Sequence, residues 1–307
     1  MKYKIRKELF PFSVFTPLVI NGKLLNRLSR YIKPTHRFFR DEACTASSAK
    51  IRSYDGADLT AFILTPTGSE SSAPCLVYYH GGGFFFGGAL HHYRVAKRYA
   101  TQTPCKLIFV QYRLAPEHPY PTPVEDCYAA LRWTFENADF LGIDKKRIAV
   151  GGDSAGGALA AAVCQMARDR GTDAPCFQML IYPVTDRRMQ TESQRIFTDT
   201  PMWNARLSKK MWRIYLQDAS AFPYASPMEA SVFSDLPPAY VETAEFDCLR
   251  DEGADYAEAL HTAGVATELN EIKGVMHGFD IARNAPITKS SIAGRIEYMQ
   301  NFFKLPQ

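Results

Sequence analysis

The chain has 307 residues, a formal net charge of +4, 46% hydrophobic residues and 22% charged residues. This ordinary globular composition excludes a mainly disordered or fibrous protein, and the length allows one large domain or two smaller ones around a substantial core. The small positive charge is spread along the chain, so we expect solvated basic faces and no nucleic-acid partner.

Cysteine usage and hydropathy indicate the compartment. The chain has seven cysteines, an odd number, and no CxxC pair. Several lie inside apolar runs, so we expect buried free thiols, no disulfide framework and no zinc site, in a cytoplasmic protein. No apolar stretch reaches 18 residues, so we expect no stable membrane insertion.

The first 45 residues are basic and aromatic, with helical spacing between residues 24 and 32. Basic residues before the apolar stretch Leu9–Ile20 imitate a secretory signal. Glu8 and two prolines interrupt that pattern, however, and no small-x-small cleavage site follows. We expect an N-terminal element packed on the protein, with loose attachment to a membrane surface as the alternative.

Short apolar or β-branched runs then alternate with helix-length segments. The runs predict strands at 59–65, 75–80, 106–112, 147–151, 177–183, 239–244 and 266–272. Helices are predicted at about 90–102, 122–138, 155–170, 250–264 and 287–304. Continuous apolar strands separated by helices are typical of a parallel sheet covered on both faces, so the predicted fold class is α/β.

The segment 187–238 interrupts this alternation. It is rich in aromatic residues and methionine, and it has a helical pattern around 206–217. A long excursion between two core strands is usually a lid or cap over a functional site. Additional core packing is the alternative interpretation.

The strongest chemical signal is the G-x-S-x-G run at 152–156. It follows the strand pattern RIAVG and precedes an alanine-rich helix pattern, the strand–turn–helix setting of a nucleophile elbow. The glycines suit a sharp turn that holds Ser154 in an unfavourable backbone conformation and leaves no room for Cβ atoms beside it. The run therefore predicts Ser154 as a nucleophile at the carboxyl end of the sheet.

A second glycine-rich loop, His80-Gly81-Gly82-Gly83-Phe84, follows the strand pattern CLVYY. Consecutive glycines leave backbone N–H groups free to approach a ligand, so this loop can supply an oxyanion hole. A phosphate-binding loop is disfavoured because no Lys-Ser/Thr pair follows and the run is not G-x-G-x-x-G. We expect His80 to organise this loop rather than to act as a base.

A serine nucleophile needs a base and an acid that orients it, and after an elbow these occur in the order Ser, Asp or Glu, then His. Only His261 and His277 follow Ser154, and His261 falls inside the predicted helix 250–264. His277 lies in a glycine-flanked loop after the last predicted strand. We therefore predict His277 as the base.

Four acidic residues near the end of strand 239–244 are candidates for the acid: Glu242, Glu245, Asp247 and Asp251. Asp247 is in the loop just past the strand, from which its side chain can reach a loop histidine. Asp251 is typical of a first helical turn, where it suits the helix dipole. We predict Asp247 as the acid and keep Asp251 as the structural alternative.

Five motifs in order make the chain resemble the hormone-sensitive-lipase-like (bacterial family IV) esterases of the α/β-hydrolase superfamily. The motifs are HGGGF (80–84), YRLAPEHPYP (112–121), GGDSAGG (151–157), EFDCLRDEG (245–253) and GVMHGF (274–279). The resemblance implies a mostly parallel eight-stranded sheet flanked by helices, with a mainly helical cap. It implies a cap made of residues 1–45 and 187–226, and a catalytic domain made of 46–186 and 227–307.

The resemblance also assigns roles. It implies Ser154 as nucleophile, His277 as general base and acid, and Asp247 as the residue that orients His277. The implied oxyanion hole is formed by the backbone N–H groups of Gly82, Gly83 and Ala155. One departure is Cys248, where the family usually has proline, which should alter loop stiffness more than chemistry.

We therefore expect a serine carboxylesterase that hydrolyses short-chain acyl esters, acetyl to about hexanoyl, through an acyl-enzyme. The expected partner is a small-molecule ester, with no cofactor and no metal, and a homodimer is possible by analogy with relatives. An amidase or deacetylase with the same triad is the main alternative. A non-catalytic receptor on this fold is disfavoured because His277 is retained.

Overall fold

The structure is a computed structural model that describes residues 2–12, 35–217, 219 and 224–304. These residues form a single eight-stranded sheet with the order β1-β2-β4-β3-β5-β6-β7-β8. In chain order the strands are Cys44–Arg52 (β1), Asp58–Pro66 (β2), Ala73–Tyr79 (β3), Lys106–Gln111 (β4), Ile143–Asp153 (β5), Gln178–Ile181 (β6), Ala239–Phe246 (β7) and Thr267–Met276 (β8). The strand β2 pairs antiparallel with β1 and with β4, and all other neighbours are parallel.

Helices cover both faces of this sheet. They are Leu90–Gln102 (α1), Thr122–Glu136 (α2), Ala138–Leu141 (α3), Ala155–Asp169 (α4), Glu192–Ile196 (α5), Ala205–Leu216 (α6), Arg250–Thr262 (α7) and Pro286–Lys304 (α8). Alternate residues of each central strand belong to two different hydrophobic clusters, one on each face of the sheet, because successive side chains of a strand point to opposite faces. In β4, Ile108 and Val110 pack with α2 and α4, whereas Leu107 and Phe109 pack with α1 and α8.

The predicted α/β class and the implied eight-stranded α/β-hydrolase sheet are confirmed. All seven predicted strands are present, but β1 was missed. Its sequence CTASSAKIR is short of large apolar residues, because this edge strand has only Cys44, Ala46 and Ile51 buried and is held mainly by backbone pairing with β2. The cysteines are free, and all but Cys176 are buried, as expected.

Residues 2–12 form an arm that packs beside β8. Ile5 and Leu9 are buried, and the amide of Arg6 donates to the carbonyl of Gly274 at 2.9 Å. The Tyr3 ring packs edge-on against Phe197 at 5.7 Å. The arm therefore joins the last strand to the segment that follows α5.

The helix expected near residues 24–32 lies outside the described residues. The strand β1 begins at Cys44, just inside the segment 1–45 that the sequence assigns to the cap. The division of the chain into cap and catalytic domain stays a prediction. Among the described residues, no helix combines the length and the apolar character needed to cross a bilayer.

Candidate active site

The sequence-predicted site residues all follow the carboxyl ends of parallel strands. The glycine loop follows β3, Ser154 follows β5, Asp247 follows β7 and His277 follows β8. Because these strands run in one direction within one sheet, their carboxyl ends lie at one edge, where clefts form in open α/β sheets. Four segments that are distant in sequence thus meet at one place.

The backbone at Ser154 has the strained form expected of a nucleophile elbow. Its φ is 55° and its ψ is −119°, a conformation that L-residues rarely adopt. The flanking glycines are required by close contacts: an ideal Cβ on Gly156 would lie 1.9 Å from the carbonyl oxygen of Tyr79, and one on Gly152 would lie 2.3 Å from the carbonyl oxygen of Gly156. The elbow is thus held between β3 and the first turn of α4.

Ser154, His277 and Asp247 form a continuous hydrogen-bonded chain. Nδ1 of His277 lies 2.6 Å from Oδ2 of Asp247, and Nε2 lies 2.9 Å from Oγ of Ser154. A carboxylate only accepts, so Nδ1 carries the proton and Nε2 is free to accept the serine proton. Asp247 is fully buried, and its other oxygen accepts from the amide of Leu249 at 3.0 Å.

The other candidate residues are engaged elsewhere. Asp251 accepts from the amide of Ser193 at 2.6 Å, in the first turn of α7 where the structural alternative placed it. Glu245 accepts from the amide of Gly274 at 2.6 Å, and Glu242 pairs with Arg295. His261 lies exposed on α7. Of the four carboxylates, the structure brings Asp247 to His277.

The glycine loop is held by its own histidine and by the elbow. Nδ1 of His80 lies 2.7 Å from the carbonyl oxygen of Gly81, which only accepts, so the ring donates and fixes this peptide. The Tyr112 hydroxyl donates to the His80 carbonyl at 2.6 Å. Burial lowers the pKa of His80 to about 4, so the ring is neutral at pH 7. His80 thus organises the loop, as expected.

The amides of Gly82 and Gly83 face no protein acceptor among the described residues, although Gly81 donates to Oδ1 of Asp153 at 3.0 Å. The amide of Ala155 opens α4, where the first N–H groups of a helix have no partner within the helix. Gly82 has a φ of 123°, which a residue with a side chain rarely adopts. These three amides are available to a ligand beside Ser154.

Residues 76–281 match the family model described as the alpha/beta hydrolase fold. This chain belongs to the α/β-hydrolase family. Carboxylesterase NlhH of Mycobacterium tuberculosis (strain ATCC 25618 / H37Rv) is 41% identical over 232 residues, which are 74% of this chain and 73% of that protein. Ethyl acetate hydrolase of Pseudomonas putida is 36% identical over 244 residues, which are 78% of this chain and 77% of that protein.

A solved structure titled bacterial heroin esterase is similar to this hydrolase over its whole length. The TM-score is 0.89 at 33% sequence identity, covering 98% of this chain and 99% of that one. The relatives are named as carboxylic ester hydrolases. The predictions of an enzyme of this class, and of a member of the hormone-sensitive-lipase-like branch, are therefore confirmed.

Sequence reasoning missed the role of Asp153 in this hydrolase. Its Oδ1 accepts from Tyr78 and Gly81, and its Oδ2 accepts from Nε2 of His92 at 3.1 Å. Burial alone would raise the pKa of Asp153, but His92 and Tyr78 hold it well below its ordinary value. Asp153 therefore ties the elbow to the glycine loop and to α1. Its position inside the G-x-S-x-G run was the available signal.

The rings of the neighbouring residues His91 and His92, at the start of α1, pack together at 3.8 Å between centroids. Nδ1 of His92 accepts from the amide of Ala89 at 2.9 Å, and Nε2 donates to Asp153. Both nitrogens of His92 are thus used within the protein. Among the described residues, no group of three or more metal-ligating side chains is found.

Glu252 is a second buried carboxyl that sequence reasoning missed. It accepts from the amide of Thr185 at 2.8 Å and from the side chain of Gln194 at 2.9 Å. Burial raises the pKa of Glu252 to about 8. Because Glu252 lies in α7, five residues after Asp247, it anchors the loop of Asp247 to α5 and to the segment before it.

Two charged clusters outside the site brace its loops. Arg113, after β4, pairs with Asp126 of α2 at 2.7 Å and with Asp55 at 2.7 Å, and these pairs hold the loop after β4. Arg295 of α8 is 1% exposed and joins Glu242 of β7, at 2.5 Å, to Asp280, at 2.6 Å. Asp280 is three residues beyond His277, so Arg295 fixes the segment that follows His277.

Side chains from the segment between β6 and β7 pack over Ser154, His277 and the glycine loop. Trp203 packs against His277 with 5.9 Å between ring centroids. Met211 and Tyr215 of α6 meet the glycine loop, with the Tyr215 ring stacked on Phe84 at 3.8 Å. Ser154 is 4% exposed and His277 is 6% exposed. Ser154 and His277 therefore lie in an enclosed, mainly aromatic setting.

Proposed function

We propose that this protein is a serine carboxylesterase that hydrolyses short-chain acyl esters, acetyl to about hexanoyl, through an acyl-enzyme. The observation that carries the proposal is the hydrogen-bonded chain from Asp247 through His277 to Ser154, at 2.6 and 2.9 Å. The proposed roles are nucleophile for Ser154, general base and acid for His277, and orienting acid for Asp247.

Acylation begins when Oγ of Ser154 attacks the ester carbonyl carbon and Nε2 of His277 takes its proton. The carbonyl π electrons move to oxygen, and the resulting oxyanion accepts from the amides of Gly82, Gly83 and Ala155. Preorganised donors of this kind are each worth about 10²–10³ in kcat. When the oxyanion collapses, the bond to the alcohol oxygen breaks and His277 gives its proton to the leaving alcohol.

Deacylation repeats the sequence with water. His277 removes a proton from water, the hydroxide attacks the acyl carbon, and Oγ of Ser154 leaves with the proton that His277 returns. Buried Asp247 keeps the Nδ1–H tautomer and stabilises the imidazolium that forms in each half of the reaction. This chemistry uses only side chains and backbone amides of this chain together with water.

The preference for short acyl chains is supported by the enclosure of the site. The stacked pair Phe84 and Tyr215 and the neighbouring Trp212, at 6.0 Å from Phe84 between ring centroids, are all nearly completely buried. A dry aromatic wall suits an apolar acyl group, and its close packing limits the length that fits.

The test combines Ser154→Ala with a series of 4-nitrophenyl esters from acetate to dodecanoate. We expect a loss of about 10³–10⁶ in kcat for Ser154→Ala, loss of labelling by a fluorophosphonate, and an unchanged circular dichroism spectrum. Ser48→Ala, on the exposed edge of the sheet, is the control. Near wild-type turnover by Ser154→Ala contradicts the mechanism, and a wild-type maximum at twelve carbons contradicts the chain length.

The same triad can cleave amides, so an amidase or deacetylase is the second candidate. Matched ester and amide substrates, such as 4-nitrophenyl acetate and 4-nitroacetanilide, decide between them by their kcat/KM values. The contact with Asp247 leaves Nε2 of His277 able to accept the proton of Ser154. A non-catalytic receptor does not need such a base, so this arrangement disfavours the receptor alternative. A homodimer and a cytoplasmic location stay predictions.

A further inference from the structure

Trp203 touches both halves of the proposed catalytic machinery. An ideal Cβ on Gly83, in the glycine loop, would lie 3.0 Å from Cη2 of the indole. The same indole lies 5.9 Å from the His277 ring between centroids. The side chain thus spans the space between the proposed oxyanion hole and the proposed base.

The indole is also held in place. Its Nε1 donates to Oγ of Ser208 at 2.9 Å, and Oγ of Ser208 lies 3.5 Å from Sγ of Cys248, the residue after Asp247. The hydroxyl of Thr200 donates to the Trp203 carbonyl at 2.7 Å. With 6% of its surface exposed, Trp203 is a fixed wall, because both its backbone and its ring nitrogen are bonded within the protein.

The proposed reaction gives the two halves of an ester different directions. The carbonyl oxygen must face the amides of the glycine loop, and the leaving oxygen must come within hydrogen-bond reach of Nε2 of His277. The acyl chain, the third substituent of the planar carbonyl carbon, points away from both. A side chain that contacts the glycine loop and His277 together therefore borders the sector that the alcohol group enters.

We infer that Trp203 is the specificity-determining residue for the alcohol half of the ester, restricting it to small or flat alcohols. The inference rests on the proposed function and names part of its substrate class: esters of compact primary or aryl alcohols. Bulky secondary alcohols collide with the indole before their oxygen reaches His277. Acyl-chain preference is set elsewhere.

The test measures two ratios of kcat/KM in each enzyme preparation, which removes any difference in folded fraction. The alcohol ratio compares cyclohexyl acetate with methyl acetate. The acyl ratio compares 4-nitrophenyl octanoate with 4-nitrophenyl acetate. The variants are Trp203→Leu and the milder Ser208→Ala, which removes only the acceptor of the indole N–H. Trp133→Leu on α2, outside the site, is the matched control.

For Trp203→Leu we expect the alcohol ratio to rise by about tenfold or more, the usual scale for relieving a steric block in a pocket. We expect a smaller rise for Ser208→Ala, an acyl ratio that stays within about threefold in both variants, and no change in either ratio for Trp133→Leu. An unchanged alcohol ratio in Trp203→Leu, or a larger change in the acyl ratio, overturns the inference.

The two proposals fail separately. If the wild-type protein hydrolyses none of these esters and is not labelled by a fluorophosphonate, the proposed function fails and the inference fails with it. If the wild-type protein hydrolyses methyl acetate but Trp203→Leu keeps its alcohol ratio, only the inference fails.

Discussion

Arg295 offers the sharpest test of how the fold supports the site. Its guanidinium is 1% exposed and donates to two carboxylates, with Nη2 at 2.5 Å from Glu242 and Nη1 at 2.6 Å from Asp280. Burial by itself would lower the pKa of Arg295, but Asp280 and Glu242 hold it well above its ordinary value. Arg295→Met removes the one positive charge of this buried cluster and leaves both carboxylates behind.

The expected cost follows from that uncompensated charge. Removing one partner of a buried ion pair costs about 3–5 kcal/mol, and here a single arginine serves two partners. We therefore expect Arg295→Met to lower the free energy of unfolding at pH 7 by about 4 kcal/mol or more. Since a whole domain is stable by only about 5–15 kcal/mol, this variant is close to unfolding.

Urea unfolding at 25 °C, followed by tryptophan fluorescence, measures the effect. Arg132→Met, which breaks a solvent-exposed pair with Glu136 at 2.9 Å, is the control and should cost less than about 1 kcal/mol. Combining Arg295→Met with Glu242→Gln and Asp280→Asn removes all three charges and should restore most of the stability. A loss below about 1 kcal/mol for Arg295→Met alone refutes the reasoning.

Two further predictions concern the site itself. Asp247→Asn keeps the shape of the side chain but destabilises the Nδ1–H tautomer of His277. We therefore expect kcat to fall by about 10⁴-fold in a steady-state assay, with KM nearly unchanged. A fall in kcat of less than about tenfold contradicts the proposed role of Asp247. Burial lowers the pKa of His80 to about 4 in the folded protein, against an ordinary value of 6.5. Between these two pH values the unfolded chain protonates His80 and the folded protein does not, so the free energy of unfolding falls as the pH falls from 6.5 to 4. Between pH 7 and pH 4, we expect the free energy of unfolding of His80→Asn to fall by about 3 kcal/mol less than that of the wild type, as measured by urea titration at each pH. Parallel curves of unfolding free energy against pH for the two proteins would contradict this.

The motifs that hold the chemistry were predictable because each needs a particular backbone. The G-x-S-x-G run around Ser154 predicts a strained turn between a strand and a helix. The glycine-flanked loop of His277 follows a clear strand pattern. Asp247 could be chosen over Asp251 because chain position after β7 decides which carboxylate can reach a loop histidine. The sequence therefore predicted seven of the eight strands and the residues that meet at the carboxyl edge of the sheet.

Other features depend on contacts that no local pattern shows. The strand β1 is too poor in large apolar residues to be recognised without its partner β2. Glu252 looks like an ordinary acid in sequence, and only its burial beside the amide of Thr185 distinguishes it. Asp153 is marked by its place in the G-x-S-x-G run, but the sequence does not show its contacts with Tyr78 and His92. Trp203 is one aromatic residue among many in the segment 187–238, and its contact with Gly83 and His277 depends on how that segment folds back over the sheet.

The strand β8 is the last strand in the chain and lies at the end of the sheet, and it carries the proposed base, His277, at its carboxyl end. This strand has β7 as its one neighbour in the described sheet, and it delivers His277 to a serine 123 residues earlier in the chain. The strands β3 and β5, which carry the glycine loop and the elbow, both precede β8 in the chain. Under the proposed mechanism, activity therefore requires β8 to be docked, and local detachment of this edge strand would separate His277 from Ser154 while the rest of the sheet stays folded.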